Sequence, residues 1–91
     1  MIRASTQEAR VETLWLLGTA GCHLCDALRP AAEGAARALG FRLEVVEIMD
    51  HEALLTRFET QIPVLYRPST DQGLPGPFTL PEALAFLQAP P

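Results

Sequence analysis

The sequence predicts an α/β fold, a three-layer α/β/α sandwich on a four-stranded mixed sheet, with elements in the order β-α-β-α-β-β-α. Three observations predict it. A short continuous apolar run, Leu14 to Leu17, gives way at Cys22 to a long stretch of helical period, and a second strand-like run follows at 41–49. A strand–helix–strand start implies a parallel pair joined by a right-handed crossover. Two further short strand signals flank a Pro- and Gly-rich turn ahead of a capped final helix, which implies an antiparallel hairpin added to the same sheet.

Glu12 to Thr19 reads as the first strand. Its centre, Leu14-Trp15-Leu16-Leu17, is too short for a helix and suits burial on both faces. Gly18-Thr19-Ala20-Gly21 breaks it. From Cys22 to Leu39, the residues Leu24, Leu28, Ala31, Ala35 and Leu39 share one helix face, while Arg29, Glu33 and Arg37 follow at i,i+4 spacing on another. Gly40 is a natural stop after the last turn. Pro30 lies inside this helix, removes a backbone hydrogen bond to Asp26 and is expected to kink the axis.

Phe41 to Met49 reads as the second strand, with Phe41, Leu43 and Val45 alternating against Arg42 and Glu44. Asp50 is the expected cap of a short helix to about Glu59, with Ala53, Leu54 and Phe58 as its buried side. Ile62 to Tyr66 is the third strand and opens on Pro63. Residues 68–77 hold the turn and a short fourth strand. Thr79-Leu80-Pro81-Glu82 is a capping box, followed by a stripe of Leu80, Ala83, Leu84 and Leu87 on the final helix.

With 91 residues, 48% of them hydrophobic, the chain suits one small globular domain over 12–89, the polar and aperiodic residues 1–11 forming a loose lead-in. The net charge is −4, and the seven basic residues are all Arg, scattered without a basic run, which argues against a nucleic-acid partner. No apolar stretch approaches the ~20 residues needed to span a bilayer, so no membrane partner is expected. Residues 1–11 lack the apolar core of a secretory signal.

The chemistry concentrates in Gly21-Cys22-His23-Leu24-Cys25, which holds the only two cysteines of the chain. A bridge across so few residues closes too small a loop to stabilise much. The pair therefore reads as redox or metal chemistry in a reducing compartment, which points to the cytoplasm. At the start of a helix, Cys22 faces unpaired backbone N–H groups and the positive end of the helix dipole, both of which favour thiolate. Cys25 lies one turn further on the same side, within disulfide reach and less exposed. This spacing makes Cys22 the attacker and Cys25 the resolver. Two other readings stay open: half of a zinc site, which needs two more ligands from His23, His51 or carboxylates, and a pair of inert buried thiols.

Gly21-Cys22-His23-Leu24-Cys25-Asp26, Ile62-Pro63-Val64 and the element order together resemble the thioredoxin superfamily, and most closely its small glutaredoxin-like bacterial proteins. The resemblance covers roughly residues 12–88 and includes a helix proline eight residues after the first cysteine, Pro30. It implies a cis-proline at Pro63 facing the cysteines, with the Ile62 backbone left free to pair with an extended thiol substrate. It implies a monomeric thiol–disulfide oxidoreductase serving cell redox homeostasis, with no bound cofactor and no metal. Its partner would be a disulfide-containing protein or a glutathione mixed disulfide, with glutathione as one candidate reductant. The runner-up is a non-enzymatic module that binds a partner and uses the cysteines as a redox switch.

The departures from the family pattern are specific. His23 stands where Pro or Gly is usual in the spacer, and can either tune the Cys22 thiolate or face solvent. Asp26 suits the helix dipole but opposes a thiolate at Cys22. Leu14 to Leu17 include no acid, so the buried carboxylate of thioredoxins is missing there. The Gly pair that glutaredoxins place before the last helix is broken in Gly76-Pro77-Phe78-Thr79, although Thr79 and the free N–H groups can still hold a carboxylate. Arg57 and Arg67 are the candidates to replace the missing Lys as a glutathione grip, against an ordinary role as solvated surface arginines. Trp15 and Phe78 read as apolar core or site-edge groups.

Overall fold

The computed structural model describes residues 11–90. The expected lead-in over 1–11 falls almost wholly outside the described residues. Four strands and three helices follow one another as β1 (Thr13–Gly18), α1 (His23–Leu39), β2 (Arg42–Glu47), a single 3-10 turn (Ile48–Asp50), α2 (Glu52–Phe58), β3 (Val64–Arg67), β4 (Gln72–Pro75) and α3 (Leu80–Gln88). The sheet order is β2-β1-β3-β4. β1 pairs parallel to β2, from Thr13 opposite Arg42 to Gly18 opposite Glu47, and antiparallel to β3 with Leu16 opposite Leu65. The β3–β4 hairpin pairs Tyr66 with Gly73. This is the mixed α/β/α sandwich that the element order predicts.

The apolar run of β1 works as a two-faced strand. Leu14 and Leu16 point into a layer with Ala32, Ala35 and Ala36 of α1, Leu65, Phe78, and Ala83 and Leu87 of α3. Leu17 points the other way, to Ile48, Phe58, Val64 and Tyr66 under α2. Small residues on α1 let α3 come close, and the Leu80 side chain lies over Gly34. Burying each of the large side chains is worth about 1.5–3 kcal/mol. Phe78 is core, whereas Trp15 is half-buried and tilts against His51 and Tyr66 at ring separations of 5.2 and 5.9 Å.

Several expectations change in detail. Leu24 and Leu80, assigned above to apolar stripes, are exposed, each in the first turn of its helix, although Leu80 still covers Gly34 of α1. Of the predicted α1 face, Leu28, Ala31, Ala35 and Leu39 do pack on the core, and Cys25, Ala32 and Ala36 are buried beside them. β2 ends at Glu47, two residues early, since the Glu47 side chain accepts from Met49 N–H and starts the 3-10 turn. Val45 is exposed on this edge strand. Asp50 does not cap α2; His51 occupies that position without a side-chain hydrogen bond, and Ala53 is exposed while Leu55 is packed. β3 begins at Val64 rather than Ile62. The Gly40 stop and the reciprocal Thr79–Glu82 capping box are formed as expected, and α1 runs through Pro30. No helix among the described residues is long and apolar enough to cross a membrane.

Three carboxylates clamp the periphery. Glu12 takes paired hydrogen bonds from Arg67 Nε and Nη2 at 2.8 and 3.0 Å, joined by the Ser69 hydroxyl. Asp71 takes Tyr66 O–H and Arg57 Nη1, each at 2.6 Å, and Glu47 takes two backbone N–H groups. All three carboxyls are held below their ordinary range, Glu12 chiefly by Arg67, Asp71 chiefly by Tyr66 and Glu47 chiefly by Met49 N–H. A depressed folded-state pKa gives stability that is complete above the unfolded-state value, about 4, and is lost as pH falls through the folded one. Thermal melts at intervals from about pH 6 to pH 3 are therefore expected to show a level midpoint that drops below pH ~4. A midpoint that stays level or rises on acidification would contradict these assignments.

Candidate active site

β1 ends at Gly18, and the turn through Thr19, Ala20 and Gly21 carries the chain onto α1. Cys22 is the N-cap of that helix, with extended backbone at φ −85° and ψ 105°. Its N–H donates to Thr19 C=O at 3.2 Å, and its carbonyl accepts the Asp26 N–H at 3.3 Å. The role filled by Ser or Asp at most N-caps is taken here by sulfur: Cys22 Sγ accepts from Cys25 N–H at 3.1 Å. Cys22 and Cys25 are joined as a disulfide with their Cα atoms 5.3 Å apart. Cys22 is half-buried and Cys25 is buried. In the reduced protein the same N–H and the helix dipole favour a Cys22 thiolate.

A cleft of about 310 Å³ opens beside this pair. Gly18 and Cys25 lie at its base, Asp26 and Arg29 of α1 on one side, and Val46 and Glu47 of β2 on the other. Gly18 is there because nothing larger fits: a Cβ on it would lie 2.9 Å from Cys25 Sγ and 3.1 Å from Cys25 Cβ. Glu47 closes the far side, with Oε1 accepting from Ala20 N–H and Oε2 from Met49 N–H, both at 3.1 Å.

The remaining sequence-predicted residues are placed as follows. His23 is exposed in the first turn of α1, and the hydrogen bond on Cys22 Sγ comes from the main chain of Cys25. The Ile62–Pro63 peptide bond is cis, as is Gly76–Pro77. Pro63 is fully buried, and its carbonyl accepts the Gly76 N–H at 2.6 Å. The pairing of β3 with β1 begins at Val64, leaving the Ile62 backbone outside the ladder. Thr79 is the exposed N-cap of α3, with its hydroxyl and its N–H both engaged by Glu82. Arg57 is bound to Asp71 and Arg67 to Glu12, so both are tied to carboxylates. Among the described residues no three His, Cys, Asp or Glu side chains converge in a way that could hold a metal ion.

Gly18 and Glu47 are site residues that sequence reasoning passed over. A Gly closing an apolar strand just before a Cys pair is a usable signal for close packing. Glu47 carries no such signal, because its partner Ala20 lies 27 positions away in the chain.

A parallel β1–β2 pair, an antiparallel β3–β4 hairpin and a Cys-x-x-Cys pair capping the helix after β1 define a thioredoxin-like domain with a dithiol site. The comparisons narrow that class. A family model described as Glutaredoxin-like domain (DUF836) matches residues 13–87, and the chain belongs to that family. The X-ray structure of the X. campestris target protein XcR50 is 36% identical, with a TM-score of 0.67 over 86% of this chain and 99% of its own. The solution structure of XcR50 gives 37% identity and a TM-score of 0.63, covering 86% of this chain and 95% of its own. Protein Ne2328 from Nitrosomonas europaea is 29% identical, with a TM-score of 0.60 over 72% of this chain and 78% of its own. No curated protein sequence matches the chain. Family and site together support a redox role for the thiol pair.

Proposed function

We propose that the chain is a glutaredoxin-like thiol–disulfide oxidoreductase that acts in cell redox homeostasis. The observation that carries this reading is the Cys22–Cys25 disulfide at the start of α1, with the Cys25 N–H directed at Cys22 Sγ. The Cys22 thiolate attacks one sulfur of a substrate disulfide, forming a mixed disulfide and releasing the first substrate thiolate. The Cys25 thiolate then attacks Cys22 Sγ, releases the second substrate thiolate and closes the Cys22–Cys25 bond. Two electrons pass to the substrate, and two glutathione thiols or one thioredoxin-type dithiol restore the pair.

The substrate in this reading is a disulfide-containing protein or a glutathione mixed disulfide, laid along the unpaired backbone at Ile62 beside Pro63, with His23 at the rim. The protein works as a cytoplasmic monomer without a bound cofactor. Thr79 remains a candidate contact through its exposed end of α3, although its hydroxyl is already shared with Glu82. That engagement, with the carboxylate pairing of Arg57 and Arg67, favours glutathione as a diffusing reductant over a tightly held one. It also lends support to the second reading, a partner-binding module with a redox switch.

Alkylation tests the catalytic reading directly. In the reduced protein, Cys22 is expected to react with iodoacetamide at pH 6 at least about tenfold faster than a free thiol of ordinary pKa near 8.5. A rate no faster than the free thiol would leave the switch module as the better account.

A further inference from the structure

Glu47 stands at the last position of β2, opposite Gly18 at the last position of β1. Its two carboxylate oxygens hold two separate pieces of chain, Ala20 N–H on Oε1 and Met49 N–H on Oε2. Ala20 is the middle of the turn that leads to the cysteines. The residue before it, Thr19, accepts the Cys22 N–H on its carbonyl, and Cys22 Sγ in turn accepts the Cys25 N–H. A continuous series of hydrogen bonds therefore runs from Glu47 through the turn to both cysteines. Glu47 also lines the cleft that has Cys25 at its base.

We propose that Glu47 is a positioning residue for the redox pair, its carboxylate holding the turn that presents Cys22 to Cys25 and so favouring closure of the disulfide. This rests on the redox reading of the pair given above. Closing the bond requires two sulfurs on one chain to meet, and every alternative conformer of the 19–21 turn lowers their effective concentration. Hydrogen bonds to an ionised carboxylate are the strong kind, so the hold on Ala20 is stronger than that of a neutral acceptor. The main chain at 19–21 has no strand partner of its own beyond Gly18.

The test is the closing equilibrium with glutathione. Protein dithiol and glutathione disulfide exchange to protein disulfide and two glutathione thiols, two electrons and two protons passing to the glutathione sulfurs. Glu47→Ala is expected to lower this equilibrium constant about tenfold, the scale of one charge-assisted hydrogen bond. Glu47→Gln removes the charge but keeps one acceptor oxygen, and is expected to stay within about threefold of the wild type. Glu47→Asp keeps the charge but draws the carboxylate back by one methylene, and is expected to fall below Glu47→Gln. Leu55→Ala, a packing change under α2 away from the turn, lowers the melting temperature and leaves the constant within about twofold.

An unchanged constant in Glu47→Ala or Glu47→Asp overturns the proposal. A Glu47→Gln value as low as that of Glu47→Ala, together with a Glu47→Asp value near the wild type, overturns it as well, since charge and not the hold would then set the equilibrium. If the wild-type pair shows no closing equilibrium at all, the redox reading fails and takes this inference with it, an outcome separate from an equilibrium that is present but indifferent to Glu47.

Discussion

Replacing Cys22 with serine is expected to abolish reduction of a glutathione mixed disulfide, by at least about a thousandfold, because a hydroxyl is not ionised at neutral pH and does not attack a disulfide sulfur. Replacing Cys25 is expected to act differently. Cys22 sits at the helix N-cap, half-buried, with Cys25 N–H on its sulfur, whereas Cys25 is buried against Gly18. Cys25→Ser therefore keeps the first attack and loses the second. Its signature is a mixed disulfide that accumulates on Cys22, seen by mass spectrometry as one added substrate thiol per chain. The main-chain donor on Cys22 Sγ survives both substitutions, so a lost rate reports the missing sulfur and not a missing helix cap. The opposite pattern, trapping in Cys22→Ser and complete loss in Cys25→Ser, would exchange the assigned roles.

Gly76→Ala is expected to be the most damaging single change outside the cysteines. A Cβ at position 76 would lie 2.7 Å from Leu28 Cδ1, 2.9 Å from Pro63 O and 3.1 Å from Pro63 Cγ. Leu28 can swing aside. Pro63 O cannot, because it is main chain and already accepts the Gly76 N–H at 2.6 Å. Relief must come from separating two backbones that are packed in the core, which costs about 1–3 kcal/mol for an inserted methyl and more where the contact is rigid. For a domain of this size such a loss lowers the melting temperature by roughly 4–8 °C per kcal/mol. Urea titration is expected to show a lower midpoint at an unchanged slope. A midpoint within error of the wild type would mean that the Pro63–Gly76 contact yields easily. Because the displaced segment carries Ile62 and Pro63, disulfide-exchange activity should fall in the same variant even at temperatures where it remains folded.

The fold was legible because its signals are local. The apolar run of Leu14 to Leu17, the Gly40 stop and the Thr79–Glu82 box each announce an element through residues within a turn of one another, and each is formed. The placement of Cys22 at a helix start was legible for the same reason. Local signals failed where the neighbour is distant in the chain. Val45 alternates correctly with Glu44 yet is exposed, because it lines the open cleft beside Cys25 and Arg29 on an edge strand. Leu24 and Leu80 have the right helical spacing but sit in the first turns of their helices, where they are exposed. Arg67 looked free as an isolated cation, and its partner Glu12 stands 55 residues earlier. Glu47 and Gly18 matter through contacts with Ala20 and Cys25 that only the folded sheet creates.

The sheet order carries a consequence for how the molecule opens. Among the described residues, β1 is paired along both edges, to β2 on one side and β3 on the other, while β2 and β4 are each paired along one edge. Its amides are thus protected until the whole domain unfolds, whereas the outer strands can fray at lower cost. The Cys22–Cys25 pair follows the end of this doubly paired strand. Breathing at the rims of the sheet, which makes the periphery adaptable, is in that way kept from loosening the alignment of the two sulfurs.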